Sequence, residues 1–240
     1  MKISNKMRII AILVSMLLSL SGSAQLSKST NVGYVESFAK LPKIKFEQTD
    51  EAQYNQCKTA NDLVMLSIKD SKTEFTLYTK SKEIRLKKTN QDQNDFNGYE
   101  YLGYYSKLKM YAIIESTMLD NLSFGSFNLL DSLTANYYSI VSIGDGAVET
   151  PIPSPNSKYL IYYNNQLTNG GSCFIGLLQV NRSGKASQLF KEKLSFESNK
   201  FVVEDIRWLN DQTFIVKTSG TTMKDDTRVK GISYFKASVE

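Results

Sequence analysis

From residue 63 to its end the chain is a near-unbroken succession of short runs dominated by Tyr, Phe, Val, Ile and Thr. Runs at 63–68, 74–79, 83–87, 99–105, 110–116, 126–130, 137–143, 158–163, 173–180, 187–191, 201–208, 213–218 and 231–239 show the alternation or the β-branched and aromatic content that a pleated surface favours. Between them stand Asp70-Ser71-Lys72, Asn97-Gly98, Gly144-Asp145-Gly146, Asn169-Gly170-Gly171 and Arg182-Ser183-Gly184, which are turn signals. Only 48–62 is mildly helical. The pattern predicts an all-β, antiparallel protein.

A weak internal period runs through the strands. Ile206-Arg-Trp-Leu-Asn-Asp-Gln-Thr-Phe-Ile-Val aligns with Ile152-Pro-Ser-Pro-Asn-Ser-Lys-Tyr-Leu-Ile-Tyr, 54 residues earlier, and the stretch from Leu102 to Ala112 repeats the pattern 50 residues before that. A fainter copy falls at 53–66, where Asn61-Asp62 precedes Leu-Val-Met-Leu. Periods of this size suggest blades. About four antiparallel units predict a small or irregular β-propeller-like assembly, with a β-sandwich or open barrel as the alternative.

One turn carries a family likeness. Ser154-Pro155-Asn156-Ser157-Lys158-Tyr159-Leu160-Ile161 resembles the S-P-D-G-K-apolar turn that opens blades in uncharacterised secreted bacterial β-propeller-like proteins. The stretch from Asp205 to Asp211 is similar to the opening of the next blade, and the likeness extends over 99–219. Asn156 and Ser157 depart from the commoner Asp and Gly. The resemblance implies a fold and brings no catalytic residue with it.

The first 24 residues predict the compartment. Lys2, Lys6 and Arg8 precede an apolar run at 9–20, and Ser21-Gly22-Ser23-Ala24 leads to Gln25. That order is a secretory signal peptide, with an apolar run shorter than the roughly 20 residues of a transmembrane helix. The expected organisation is a signal peptide at 1–24, an N-terminal extension at 25–45 and a single domain at 46–240. The product is expected in the periplasm or outside the cell, with no stable transmembrane segment after cleavage. The leader also carries three of the 29 basic residues and none of the 24 acidic ones, so its removal lowers the net charge from +5 to +2. A nearly neutral domain gives no reason to expect a nucleic-acid partner.

The chain has no histidine. Ser-His-Asp and Cys-His catalysis are thereby excluded, as is His-ligated zinc, and two cysteines cannot build a four-thiolate site. No metal or other cofactor is expected. Cys57 and Cys173 are open to two readings, separate buried thiols or a disulfide worth about 4 kcal/mol in an oxidising compartment. Segment 92–100 is rich in oxygen ligands but has Phe96 where an EF-hand needs its fifth-position ligand. The basic run Lys80, Lys82, Arg85, Lys87 and Lys88, with Ile84 and Leu86 inside it, suits the solvated face of an edge strand.

Two functional classes remain. The leading expectation is a non-enzymatic binding module for a protein or glycan partner, with Asp145, Glu149, Tyr104, Glu204 and Asp205 as candidate binding residues. The tyrosine can stack on a sugar or anchor a protein, and the acids lie near the loops that open the units. The alternative is a glycoside hydrolase, whose chemistry needs only two carboxylates about 5–10 Å apart. No residue is assigned a catalytic role.

Overall fold

Sheets of short strands bury apolar side chains by stacking, and here four sheets stack in succession. The computed structural model describes residues 29–33, 37–57, 62–89, 96–120, 122–166, 171–224 and 227–240, which leaves the expected leader outside. Strands are numbered in chain order. Sheet I is β4 (Lys69–Asp70), β5 (Glu74–Tyr78) and β6 (Glu83–Lys87). Sheet II runs in the order β1 (Thr30–Gly33), β10 (Tyr137–Val141), β9 (Leu122–Asp131), β8 (Met110–Leu119), β7 (Phe96–Tyr105), β3 (Leu63–Val64). Sheet III is β11 (Ile152–Pro153), β12 (Tyr159–Gln166), β13 (Ser172–Val180) and β14 (Phe190–Ser198). Sheet IV is β15 (Val202–Trp208), β16 (Thr213–Lys224), β17 (Thr227–Ser238) and β2 (Phe46–Thr49). The protein is all-β, and a propeller-like or open-barrel assembly is compatible with this arrangement.

Three cores lie between the sheets. Phe75, Leu77, Ile84 and Leu86 of sheet I meet Tyr111, Ile113, Leu130 and Tyr137 of sheet II. The opposite face of sheet II presents Met110, Ala112, Phe127, Leu129 and Tyr138 to Leu160, Tyr162, Phe174 and Phe190 of sheet III. Ile161, Ile175 and Leu177 of sheet III then meet Val203, Ile206, Trp208 and Phe214 of sheet IV. Successive strand residues point to opposite faces, so inner sheets need apolar residues at both parities. That is why Tyr159–Tyr163 of β12 and Cys173–Leu178 of β13 carry apolar or aromatic side chains, or glycine, at both parities. At Gly176 the side chain is absent because Tyr162 occupies its place: a Cβ there would lie 2.1 Å from the ring.

The 54-residue repeat is real at the level of strands, since β12 opens at Tyr159 and β16 at Thr213. The turn before β12 shows why its sequence has that form. Ser154 is fully buried, its hydroxyl accepts from the backbone N–H groups of Lys158 and Tyr159 at 3.2 Å, and Ser157 N–H closes back on Ser154 O at 2.7 Å. The Asp211 carboxylate in the following turn accepts from Asn156 N–H at 2.8 Å and from the Asn156 side-chain amide, tying sheet IV to sheet III. Ser157 has φ +54°, the left-handed region where glycine is unstrained. Its buried hydroxyl also has no hydrogen-bond partner among the described residues. Ser157→Gly is therefore expected to raise stability by about 1 kcal/mol, read as a higher denaturant midpoint at unchanged slope.

The segment expected to be an extension, 25–45, runs along the outer edges of sheets II and III, and the strand that follows it adds to sheet IV. Thr30–Gly33 pairs with β10 of sheet II, the one parallel strand pair among the described residues. Lys43 forms a parallel bridge to Ser195 on β14, and Phe46–Thr49 pairs with β17. Phe38 and Ile44 are buried along this path. Covering an edge removes a template for unwanted pairing. Sheet IV thus joins strands from both ends of the chain.

Several expectations are corrected. Asn97-Gly98 is not a turn but lies inside β7; a Cβ on Gly98 would lie 2.5 Å from the Thr89 backbone, so glycine permits a close strand approach there. The described residues of the faint repeat at 53–66 are the end of helix α1 (Glu51–Gln56), capped by the Asp50 carboxylate on Gln53 N–H at 2.8 Å, and the edge strand β3, while 58–61 lie outside the described residues. The run at 63–68 pairs only at Leu63–Val64, and 187–191 is a 3-10 turn at Ala186–Gln188 followed by β14. The edge-strand reading of the basic run holds: in β6, Glu83, Arg85 and Lys87 are exposed while Ile84 and Leu86 are buried. Much of the oxygen-rich segment 92–100 lies outside the described residues.

Both thiols are free, so the disulfide reading is not met. Cys57 packs with Tyr54 and Ile215, whereas Cys173 belongs to the core between sheets III and IV. Ile215 stands between Phe214 and Val216 on β16, whose side chains enter that core. Sheet IV therefore lies between the two cysteines.

Candidate functional site

The edge strands of three sheets converge at one place. β3 and the end of β7 from sheet II, β11 from sheet III and β15 from sheet IV surround a cleft of about 260 Å³. Asp62, Glu149, Asp205, Tyr105 and Tyr163 line it with the stretch Pro151-Ile152-Pro153. Tyr105 is buried and donates to Pro151 O at 2.6 Å, and Glu149 N–H donates to Tyr163 O at 2.9 Å. The Asp205 carboxylate is held from behind: it accepts from the Tyr54 hydroxyl of α1 and pairs with Arg207 Nε at 2.8 Å, while the guanidinium lies over the Tyr54 ring at 4.3 Å. Glu204 is the extra residue of a β-bulge, since the register passes from Val203↔Thr218 to Asp205↔Lys217. Its carboxylate accepts from the Ser219 hydroxyl.

The structure brings Glu149 and Asp205 to one cleft, with Glu204 close enough for its charge to act there. It does not bring the other two candidates. Asp145 sits in an exposed turn whose carbonyl accepts from Gly125 N–H at 2.7 Å. Tyr104 packs against the core between sheets I and II, with its ring 4.9 Å from Tyr111 and its hydroxyl 3.0 Å from that of Ser132, away from this cleft. Among the described residues no group of three or more His, Cys, Asp or Glu side chains is placed to hold a metal ion.

The acids leave a signature on Tyr163. Burial first, then the negative charges of Glu149, Asp205 and Glu204, push its phenol up to about 12. Burial does the same to Tyr99, with Glu115 beside it, and to Tyr138, with Asp131 beside it, each to about 12. Unfolded tyrosines titrate near 10. The folded chain therefore holds these protons more tightly, and their contribution to stability is intact below pH 10 and lost as pH rises from about 10 to 12. Absorbance at 295 nm should show a tyrosine class titrating with alkaline unfolding, and Glu149→Gln should move one phenol downward.

A larger concavity was not found by sequence reasoning. Between sheets I and II a groove of about 580 Å³ is floored by Phe75, Tyr99 and Tyr101 and walled by Met65, Leu66 and Ile68. Leu66 N–H donates to the Tyr101 hydroxyl at 3.2 Å. Lys88 and Asp70, paired at 2.6 Å, stand on its lining with Glu100. Val64, Met65 and Leu66 are 40, 71 and 39% exposed, three consecutive large apolar residues in water. Such a run normally lies inside. The sequence signal was present in Leu63-Val-Met-Leu, but an apolar run has the same appearance whether a sheet covers it or not.

Comparison with protein-family models, with curated proteins and with solved structures gives no match. Among the described residues no helix is long and apolar enough to cross a membrane.

Proposed function

We propose that this chain is an exported, non-catalytic binding module for a protein or glycan partner, and that the groove between sheets I and II is the partner's seat. The observation that carries the reading is the exposed run Val64-Met65-Leu66 beside a cavity floored by Phe75, Tyr99 and Tyr101. Aromatic and methionine side chains are the types enriched where proteins meet partners, and aromatic rings also stack on sugars. The leader at 1–24 supports export, and the turn at 154–161 supports kinship with secreted bacterial β-propeller-like proteins.

The test is a photoreactive residue placed at Met65 in the producing cell, with the same residue at Lys191 as a control. Adduct at position 65 alone is expected. No adduct at 65, or equal adduct at both positions, contradicts the seat. A glycoside hydrolase is the second reading, favoured by Glu149 and Asp205 lining one cleft. It requires turnover on a glycan panel that Glu149→Gln and Asp205→Asn each abolish.

A further inference from the structure

The groove has a property that a sugar site does not need. β3 is the terminal strand of sheet II and β4 the terminal strand of sheet I, and residues 65–68 run between them outside any strand. Among the described residues Met65, Leu66 and Ser67 make no main-chain hydrogen bond to another main chain, and Leu66 N–H is satisfied only by a phenol. An open edge with exposed apolar side chains is a template for a further strand. The cavity is lined by Met65, Leu66, Ser67 and Ile68, the residues that follow β3, and a strand paired along them would turn alternate side chains toward it.

We infer that the groove captures an extended polypeptide segment by strand addition along β3 and residues 65–68, with a large apolar or aromatic side chain of that segment filling the cavity floored by Phe75 and Tyr101. This rests on the reading of the groove as the partner's seat and names the partner's chemistry. Main-chain hydrogen bonds supply the affinity in this mode, and the pocket supplies the preference for alternate residues. The ion pair Lys88–Asp70 and the Glu100 carboxylate give the lining both signs of charge, so the fit asks for an apolar segment rather than one of high net charge. A glycan would use the aromatic floor and leave the unpaired main chain as it is.

The experiment uses the full exported chain against a displayed library of random decapeptides and, in parallel, an array of glycans. Selected peptides are expected to be extended, with a large apolar residue at one fixed position. N-methylation of alternate amides in a selected peptide should weaken binding about tenfold or more, because each removes one main-chain donor. Met65→Asp, a substitution at an exposed position, should weaken it comparably, and amide exchange should slow at 63–68 on binding. Peptides insensitive to N-methylation, or protection elsewhere on the chain, overturn strand addition. Glycan binding that slows exchange at 63–68, with no peptide selected, overturns the polypeptide occupant while leaving the seat standing. No binder of either kind in the groove overturns both.

Discussion

Gly176→Ala is expected to destabilise the chain by about 3 kcal/mol, the upper end of what one added methyl costs in a packed core. The Cβ would lie 2.1 to 2.3 Å from three atoms of the Tyr162 side chain, where no real contact is tolerated. The ring has little room to retreat. Tyr162 is buried, and it meets Phe174 edge to face with centroids 6.1 Å apart. In a domain of this size about 3 kcal/mol corresponds to a fall of roughly 6–12 °C in melting temperature. The cause can be isolated with Tyr162→Leu. That change alone is costly, but in the Gly176→Ala background it removes the clash, so the double variant should be more stable than the sum of the single effects predicts. Thermal unfolding of the four proteins measures this directly. Strict additivity would show that Gly176 is not where Tyr162 finds its space.

Trp208→Ala carries the second large effect, about 3–5 kcal/mol. Trp208 is 1% exposed, lies over Tyr159 with ring centroids 6.5 Å apart and meets Phe214 at 5.3 Å. Its Nε1–H donates to Ile152 O at 3.2 Å, so the indole joins the first strands of sheets III and IV by packing and by a hydrogen bond. Total stability of a domain is about 5–15 kcal/mol, so this loss is a large fraction of it and is expected as a clear fall in the unfolding midpoint. Trp208→Phe keeps most of the packing and loses the donor, and should cost about half as much or less. Trp208 is the sole tryptophan, so its emission reports the wild-type transition without a label. A Trp208→Ala chain as stable as wild type would contradict the III–IV interface described above.

The strands of sheets III and IV were legible because a local signal specifies them. Tyr159 and Thr213 begin equivalent strands after equivalent polar turns, and β6 matches its expected bounds of 83–87. What sequence could not supply were pairings between distant segments. β1 and β2 are four residues each, and each is a strand only because the edges of β10 and β17 accept it. Gly98 carried a turn signal, yet its absent Cβ serves a close backbone approach. The same limit applied to function. Glu149 and Asp205 were placed near unit openings by the repeat, and those openings do converge. Asp145 shares the local chemistry but not the face. Met65 and Leu66 became candidates only once their exposure was known, because burial is a property of the whole stack.

The groove and the acidic cleft are separate places that demand different chemistry. The groove offers unpaired main chain, aromatic floor and exposed Met65. The cleft offers carboxylates, one of which is already tied to Tyr54 and Arg207. Amide hydrogen exchange of the chain, alone and with the material cross-linked at position 65, compares them most directly. Slowed exchange at 63–68 and 99–101, with 149–153 and 205 unchanged, is the predicted result. Slowed exchange around Glu149 and Asp205, with 63–68 unchanged, would contradict it.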